Sequence, residues 1–135
     1  MIAILDTGPW VALIDRSESR HTECVQWLKK FSGRLYSTEA VLTEVIYILN
    51  FSITAQCAVL DFVLKSVVEI VPSSTDSFKK TKNLMKKYAD LPMDFADATI
   101  VCLATETGMQ NIATFDKKDF TIYKLPKKKS FTILP

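Results

Sequence analysis

The stretch Ile2-Ala3-Ile4-Leu5-Asp6-Thr7-Gly8-Pro9 decides the reading of this chain. Four apolar residues run without a polar interruption and stop at an acid followed by a turn-forming Gly-Pro pair. A run this short and apolar is the pattern of a strand buried on both faces, as in a parallel sheet. Asp6 then stands at the carboxyl end of that strand, the edge at which open α/β sheets bind ligands. The competing reading is a turn in which the Asp6 side chain bonds the backbone near Gly8.

Working outward, apolar segments of helical and strand period alternate along the chain. Cys24, Trp27, Leu28 and Phe31 have helical spacing, with Ser17 or Ser19 as the expected cap and Gly33 as the stop. Leu35-Tyr36-Ser37 reads as a short strand. Ser37 or Thr38 opens a helix through Leu49, and a further helix spans about 54–65. Val67-Val68-Glu69-Ile70-Val71 is β-branched, ends at Pro72 and reads as a strand. Ser74, Thr75 or Asp76 caps a polar helix to about Tyr88, and Asp94 caps another that ends before Gly108. Asn111-Ile112-Ala113-Thr114 and Thr132-Ile133-Leu134 complete the strands. Strands alternating with helices define an α/β domain with a mainly parallel sheet. No repeat, linker or low-complexity segment divides residues 1–135, so one domain is expected.

Composition bounds the function. The chain has 135 residues, 48% hydrophobic, with a net charge of +2, too small by itself to indicate a nucleic-acid partner. No signal peptide is read at the N-terminus, and Glu44, Asn50, Gln56, Asp61, Lys65 and Glu69 break the apolar segment 40–72 too often for a membrane span. Cys24, Cys57 and Cys102 are odd in number and lack metal spacing, which suggests reduced thiols in a cytoplasmic protein. His21 is the one histidine, so zinc chemistry and Ser-His-Asp or Cys-His catalysis have little to rest on. Neither GxxxxGK[ST] nor GxGxxG occurs.

Four acids stand where acids are costly. Asp6 ends the first apolar strand, and Asp116 follows the strand Ile112-Ala113-Thr114. Glu44 interrupts Ala40-Val41-Leu42-Thr43-Glu44-Val45-Ile46-Tyr47-Ile48-Leu49, and Asp97 interrupts Phe95-Ala96-Asp97-Ala98-Thr99-Ile100-Val101-Cys102. Each has an ordinary explanation. Glu44 can be the one exposed position of its helix; Asp97 would fall at the third helical position after an Asp94 cap; Asp116 and Asp119 can be turn residues. Taken together, two acids ending strands and two breaking apolar helices describe carboxylates gathered around a cation, with oxygen ligands suited to Mg²⁺ or Mn²⁺.

These residues resemble the PIN-domain family. Leu5-Asp6-Thr7-Gly8 with Trp10-Val11-Ala12-Leu13, Asp15 and His21 looks like its opening motif, and Thr38 to Leu49 with Thr43-Glu44 like its second. Asp94-Phe95-Ala96-Asp97-Ala98 with Ala104 resembles the third, and Thr114-Phe115-Asp116 with Asp119-Phe120 the closing one. The likeness covers nearly the whole chain, and within the family the size is similar to VapC-type toxins. It implies a three-layer α/β/α sandwich around a mainly parallel sheet. It also implies a catalytic and metal-binding set of Asp6, Glu44, Asp97 and Asp116, supported by Thr7, Thr114 and Asp94, the last as cap or outer ligand. The implied activity is RNA phosphodiester hydrolysis with one or two Mg²⁺ or Mn²⁺ ions, leaving 5′-phosphate and 3′-hydroxyl ends. The implied partners are an RNA substrate, a small antitoxin protein and a second copy of the chain. Lys117, Lys118, Lys124, Lys127, Lys128 and Lys129 are candidate RNA contacts or a solubilising surface. The alternatives are a PIN-domain nuclease of RNA processing or one acting on DNA, neither with an antitoxin, and a non-catalytic α/β binding module whose acids are caps and turns.

Overall fold

A computed structural model describes residues 1–135. The strands are β1 (Ile2–Leu5), β2 (Arg34–Ser37), β3 (Val68–Ile70), β4 (Asn111–Ala113), β5 (Lys124–Leu125), β6 (Lys129–Ser130) and β7 (Thr132–Leu134). The helices are α1 (Thr7–Ile14), α2 (His21–Lys30), α3 (Glu39–Ile48), α4 (Ile53–Leu64), α5 (Thr75–Lys87), α6 (Phe95–Thr107) and α7 (Lys117–Ile122). Five strands form one sheet in the order β3-β2-β1-β4-β7, every pair parallel. β5 and β6 make a separate antiparallel ribbon.

The connections give the sheet its layers. From β1 the chain steps outward through β2 to β3, then returns to the other side of β1 at β4. Right-handed crossovers therefore place α1–α4 on one face and α5–α6 on the other. The strand order reverses beside β1, so the carboxyl ends of β1 and β4 bound a crevice. A backbone bond from Asp6 N to the Ala113 carbonyl, 3.0 Å long, extends their pairing to that edge.

The caps read from the sequence form with one exception, and Ser52 adds a cap for α4 that the sequence reading did not name. Thr38, Ser52, Ser74 and Asp94 each accept a backbone N–H of their own helix's first turn. The expected Ser17 or Ser19 cap of α2 is not formed. Arg20 holds that position without a side-chain bond, because Ser17 donates its N–H and hydroxyl back to Asp15. Gly33 stands beyond the end of α2 for a steric reason, since a Cβ there would lie 1.8 Å from the Met1 carbonyl.

The core is one cluster drawn from both ends of the chain, with Ile4, Leu5, Trp10, Leu49, Ile100, Ile112 and Phe120 fully buried. Above it, at the sheet's carboxyl edge, the buried Thr38 and Thr99 hydroxyls bond at 2.8 Å and tie α3 to α6. Ser37 donates to the Leu5 carbonyl at 2.8 Å and locks the end of β2 to the end of β1.

Ile2 and Ile4 are both in β1, but Ile4 is inaccessible and Ile2 is 40% exposed. Ile4→Ala is expected to lower unfolding free energy in urea by about 2–5 kcal/mol. Ile2→Ala should cost less than about 1 kcal/mol. Equal losses would show that β1 is not the central strand.

Candidate metal centre

Asp6, Asp97 and Asp116 stand at or beside the ends of regular elements, and Glu44 lies in the middle of α3. Asp6 directly follows β1 and caps α1, its Oδ1 accepting Thr7 N at 2.8 Å. Its Oδ2 accepts the Thr114 hydroxyl at 2.7 Å, from the residue that follows β4. Thr7 also donates its hydroxyl to Glu44 Oε1 at 2.8 Å, so one threonine joins the acid of β1 to the acid of α3. Asp97 lies in the first turn of α6, where its N–H is capped by Asp94 Oδ1 at 2.8 Å and its Oδ2 accepts the Tyr123 hydroxyl at 3.0 Å. Asp116 caps α7, with Thr114 Oγ1 taking the Asp116 N–H at 3.0 Å and Asp116 Oδ1 taking the Asp119 N–H at 3.2 Å.

The acids form two neighbouring groups. Asp6 and Glu44 are joined through Thr7. Asp97, Asp116 and Asp119 each place a carboxylate oxygen within 4.8 Å of the others. No salt bridge reaches them, since the salt bridges join Arg20 to Glu23 and Lys80 to Asp76 and Glu106. The electrostatic consequence is large. Burial pushes the Asp6 carboxyl up to about 6, with the charges of Glu44 and Asp116 adding to it against the bonds from Thr114 and Thr7. Burial also carries Asp97 to about 7, helped by the charges of Asp94, Asp6 and Asp116. Desolvation and the Asp116 charge raise Asp119. Five acids thus lie close together without a salt bridge to any basic side chain, the condition under which a hard cation binds.

The geometry assigns places to the residues singled out in the sequence. Asp6, Glu44, Asp97 and Asp116 converge, and Thr7 and Thr114 bond directly to them. Asp94 is exposed and caps α6 while its charge still raises Asp97. Lys117 and Lys118 are exposed in the first turn of α7 beside the acids, and Lys118 partly offsets the shift at Asp119. Lys127 is elsewhere, lining a small cavity with Ala104, Thr105 and Gly108 at the other end of α6. Thr105 is eight residues beyond Asp97, roughly 12 Å along the helix. His21 does not join the site; its Nδ1 lies 2.6 Å from the Ala12 carbonyl and fastens α2 to α1.

Two residues escaped the sequence reading. Asp119 was readable only as a turn acid, although Asp116-Lys117-Lys118-Asp119 repeats the spacing of Asp94-Phe95-Ala96-Asp97 and the same capping bond. Tyr123 carries no local signal, because its contact with Asp97 joins elements 26 residues apart.

The raised carboxyls fix how the metal-free protein responds to pH. An acid whose pKa is about 6 or 7 when folded and 3.8 ordinarily binds more protons in the folded state between those values. Stability in EDTA should then fall as pH rises from about 4 to about 7. Asp97→Asn should remove part of that slope and melt a few degrees above the wild type at about pH 8. Thermal melts across pH test this, and a rising slope would contradict the clustering of the acids.

Comparison with known proteins agrees with the fold. The PIN domain model matches residues 3–127. Ribonuclease VapC26 of Mycobacterium tuberculosis is 24% identical over 134 residues, 98% of this chain and 99% of the relative. Among solved structures, Mycobacterium tuberculosis VapC20, a toxin that cleaves the sarcin-ricin loop, superposes with a TM-score of 0.79 at 22% identity, over 86% of this chain and 91% of that one. VapBC2 from Rickettsia felis, bound to a DNA fragment from its promoter, superposes with a TM-score of 0.69 at 19% identity, covering all of both chains. With the family model matching nearly all of its length, and with β1, α3, α6 and the β4–α7 turn each delivering an acid to one crevice, the chain belongs to the PIN domain family.

Proposed function

We propose that this protein is a metal-dependent endoribonuclease that hydrolyses RNA phosphodiester bonds and acts as the toxin of a toxin–antitoxin pair in the cytoplasm. The observation that carries the reading is the gathering of Asp6, Glu44, Asp97 and Asp116 at the sheet's switch point without a salt bridge to any basic side chain. The names of the relatives, ribonuclease and toxin, support the same activity.

The donor set fits Mg²⁺ or Mn²⁺, as one or two ions: it consists of carboxylate oxygens and hydroxyls, with no thiol or imidazole in the cluster. Such a cation supplies charge neutralisation for the phosphate and makes water acidic enough to attack it. Asp6, Glu44, Asp97 and Asp116 would hold the cation. Thr7 and Thr114 keep Asp6 and Glu44 aimed by occupying one oxygen of each. Water adds to phosphorus as the bond to the ribose 3′-oxygen breaks, leaving a 5′-phosphate and a 3′-hydroxyl. Asp119, whose carboxylate lies within 4.8 Å of those of Asp97 and Asp116, can take the proton that water loses. Lys117 and Lys118 flank the acids and are placed to meet neighbouring phosphates; Lys127 and Lys128 would meet only a longer RNA.

Partners are expected at the exposed apolar residues of α3 and α4. Tyr47, Phe51, Ile53 and Leu64, on and between α3 and α4, are each about 70% exposed or more. A surface this apolar on a small protein calls for a protein partner. A second copy and a small antitoxin are the two proposed here.

Cleavage of a labelled structured RNA by the wild type in Mn²⁺ or Mg²⁺ should vanish in EDTA and drop at least about 100-fold in Asp97→Asn. Equal cleavage by both proteins would rule out the acids as the active site. In analytical ultracentrifugation the wild type should sediment as a dimer at high concentration. A monomer mass there would remove the second copy from the proposal.

A further inference from the structure

Three acids of the site each have one oxygen bonded by a side-chain hydroxyl of the chain. Thr114 holds Asp6 Oδ2, Thr7 holds Glu44 Oε1 and Tyr123 holds Asp97 Oδ2, at 2.7, 2.8 and 3.0 Å. Thr114 directly follows β4 and Thr7 stands one residue past the end of β1, both at the sheet's carboxyl edge, and Thr114 Oγ1 also accepts the Asp116 N–H. Tyr123 is fully buried directly after α7, and its ring packs edge-on against Tyr88 and Phe120 with centroids 5.1 Å apart in both pairs. The Tyr88 hydroxyl accepts the Lys124 N–H at 3.0 Å, a bond separate from the one between Tyr123 and Asp97. Burial and the edge-on packing keep the Tyr123 ring beside Asp97. Its hydroxyl is the donor of the bond to Asp97 Oδ2.

A hydroxyl bond takes one of the two lone pairs on a carboxylate oxygen and fixes the carboxylate plane, which favours ligation of a cation through the other, unbonded oxygen. Mg²⁺ and Mn²⁺ are small, six-coordinate ions that take one oxygen per carboxylate. Ca²⁺ is larger and commonly takes both oxygens of an acid to reach its higher coordination number. On the reading of the acids as a metal centre, we propose that Tyr123 is a positioning residue that holds Asp97 to single-oxygen ligation and so biases the site toward Mg²⁺ or Mn²⁺ over Ca²⁺. The residue acts through Asp97 and touches neither substrate nor the reacting atoms.

The test is calorimetric titration of the metal-free protein with Mn²⁺ and separately with Ca²⁺, for wild type, Tyr123→Phe and Tyr88→Phe. Phenylalanine at 123 keeps the ring and its packing while removing the donor. Tyr88→Phe disturbs the same aromatic stack and leaves the Asp97 bond intact. Tyr123→Phe should bind Mn²⁺ about ten-fold more weakly. It should keep or gain affinity for Ca²⁺, so that the ratio of the two dissociation constants moves by at least that factor. Tyr88→Phe should leave the ratio unchanged. An equal loss for both ions in Tyr123→Phe, or the same change in Tyr88→Phe, overturns the role given to Tyr123. Mn²⁺ binding absent from the wild type overturns the metal reading itself, an outcome distinct from either of these.

Discussion

Hydroxyl groups hold together a set of negative charges that would otherwise push the carboxyl edge of this sheet apart. Thr7, Thr114 and Tyr123 each donate to a different acid, and the acids come from β1, α3 and α6, elements far apart in the chain. A hydrogen bond to an ionised carboxylate is stronger than one between neutral groups. Even so, the raised values of Asp6 and Asp97 show that the donors do not fully offset burial and mutual repulsion. The remaining imbalance is what a cation can use. The same donors that make the site tolerable without metal also orient its free oxygens.

The all-parallel sheet makes this convergence possible. Because β4 returns to the side of β1 opposite β2, the carboxyl ends of β1 and β4 are neighbours while β2 and α3 approach from the other side. Thr38 and Thr99 close the gap between α3 and α6 across the top of the core. Glu44 and Asp97, which interrupt apolar helices, thereby meet Asp6 and Asp116, which end apolar strands.

Much of this was legible before any coordinates. The uninterrupted run Ile2–Leu5 marked the central strand, and acids inside apolar stretches stood out because desolvating them is costly. The caps at Thr38, Ser74 and Asp94 follow from residue types that accept backbone N–H groups. What failed to show depends on packing across the fold. The cap of α2 went wrong because Ser17 has a better local partner in Asp15. Tyr123 has no pattern of its own, and the separation of Lys127 from the acids follows only from the length of α6 and the path of the β5–β6 ribbon.

The bond between Thr114 and Asp6 joins residues 108 positions apart, and Tyr123 reaches back to Asp97 from further along still. Synthesis runs from Met1, so Asp6, Glu44 and Asp97 leave the ribosome well before the residues that gather and orient them. An emerging chain is therefore a set of scattered acids until its last fifth has folded onto β1. For a protein whose proposed target is RNA, this ordering means that the four acids are not gathered into one site until β4 and α7 have been made.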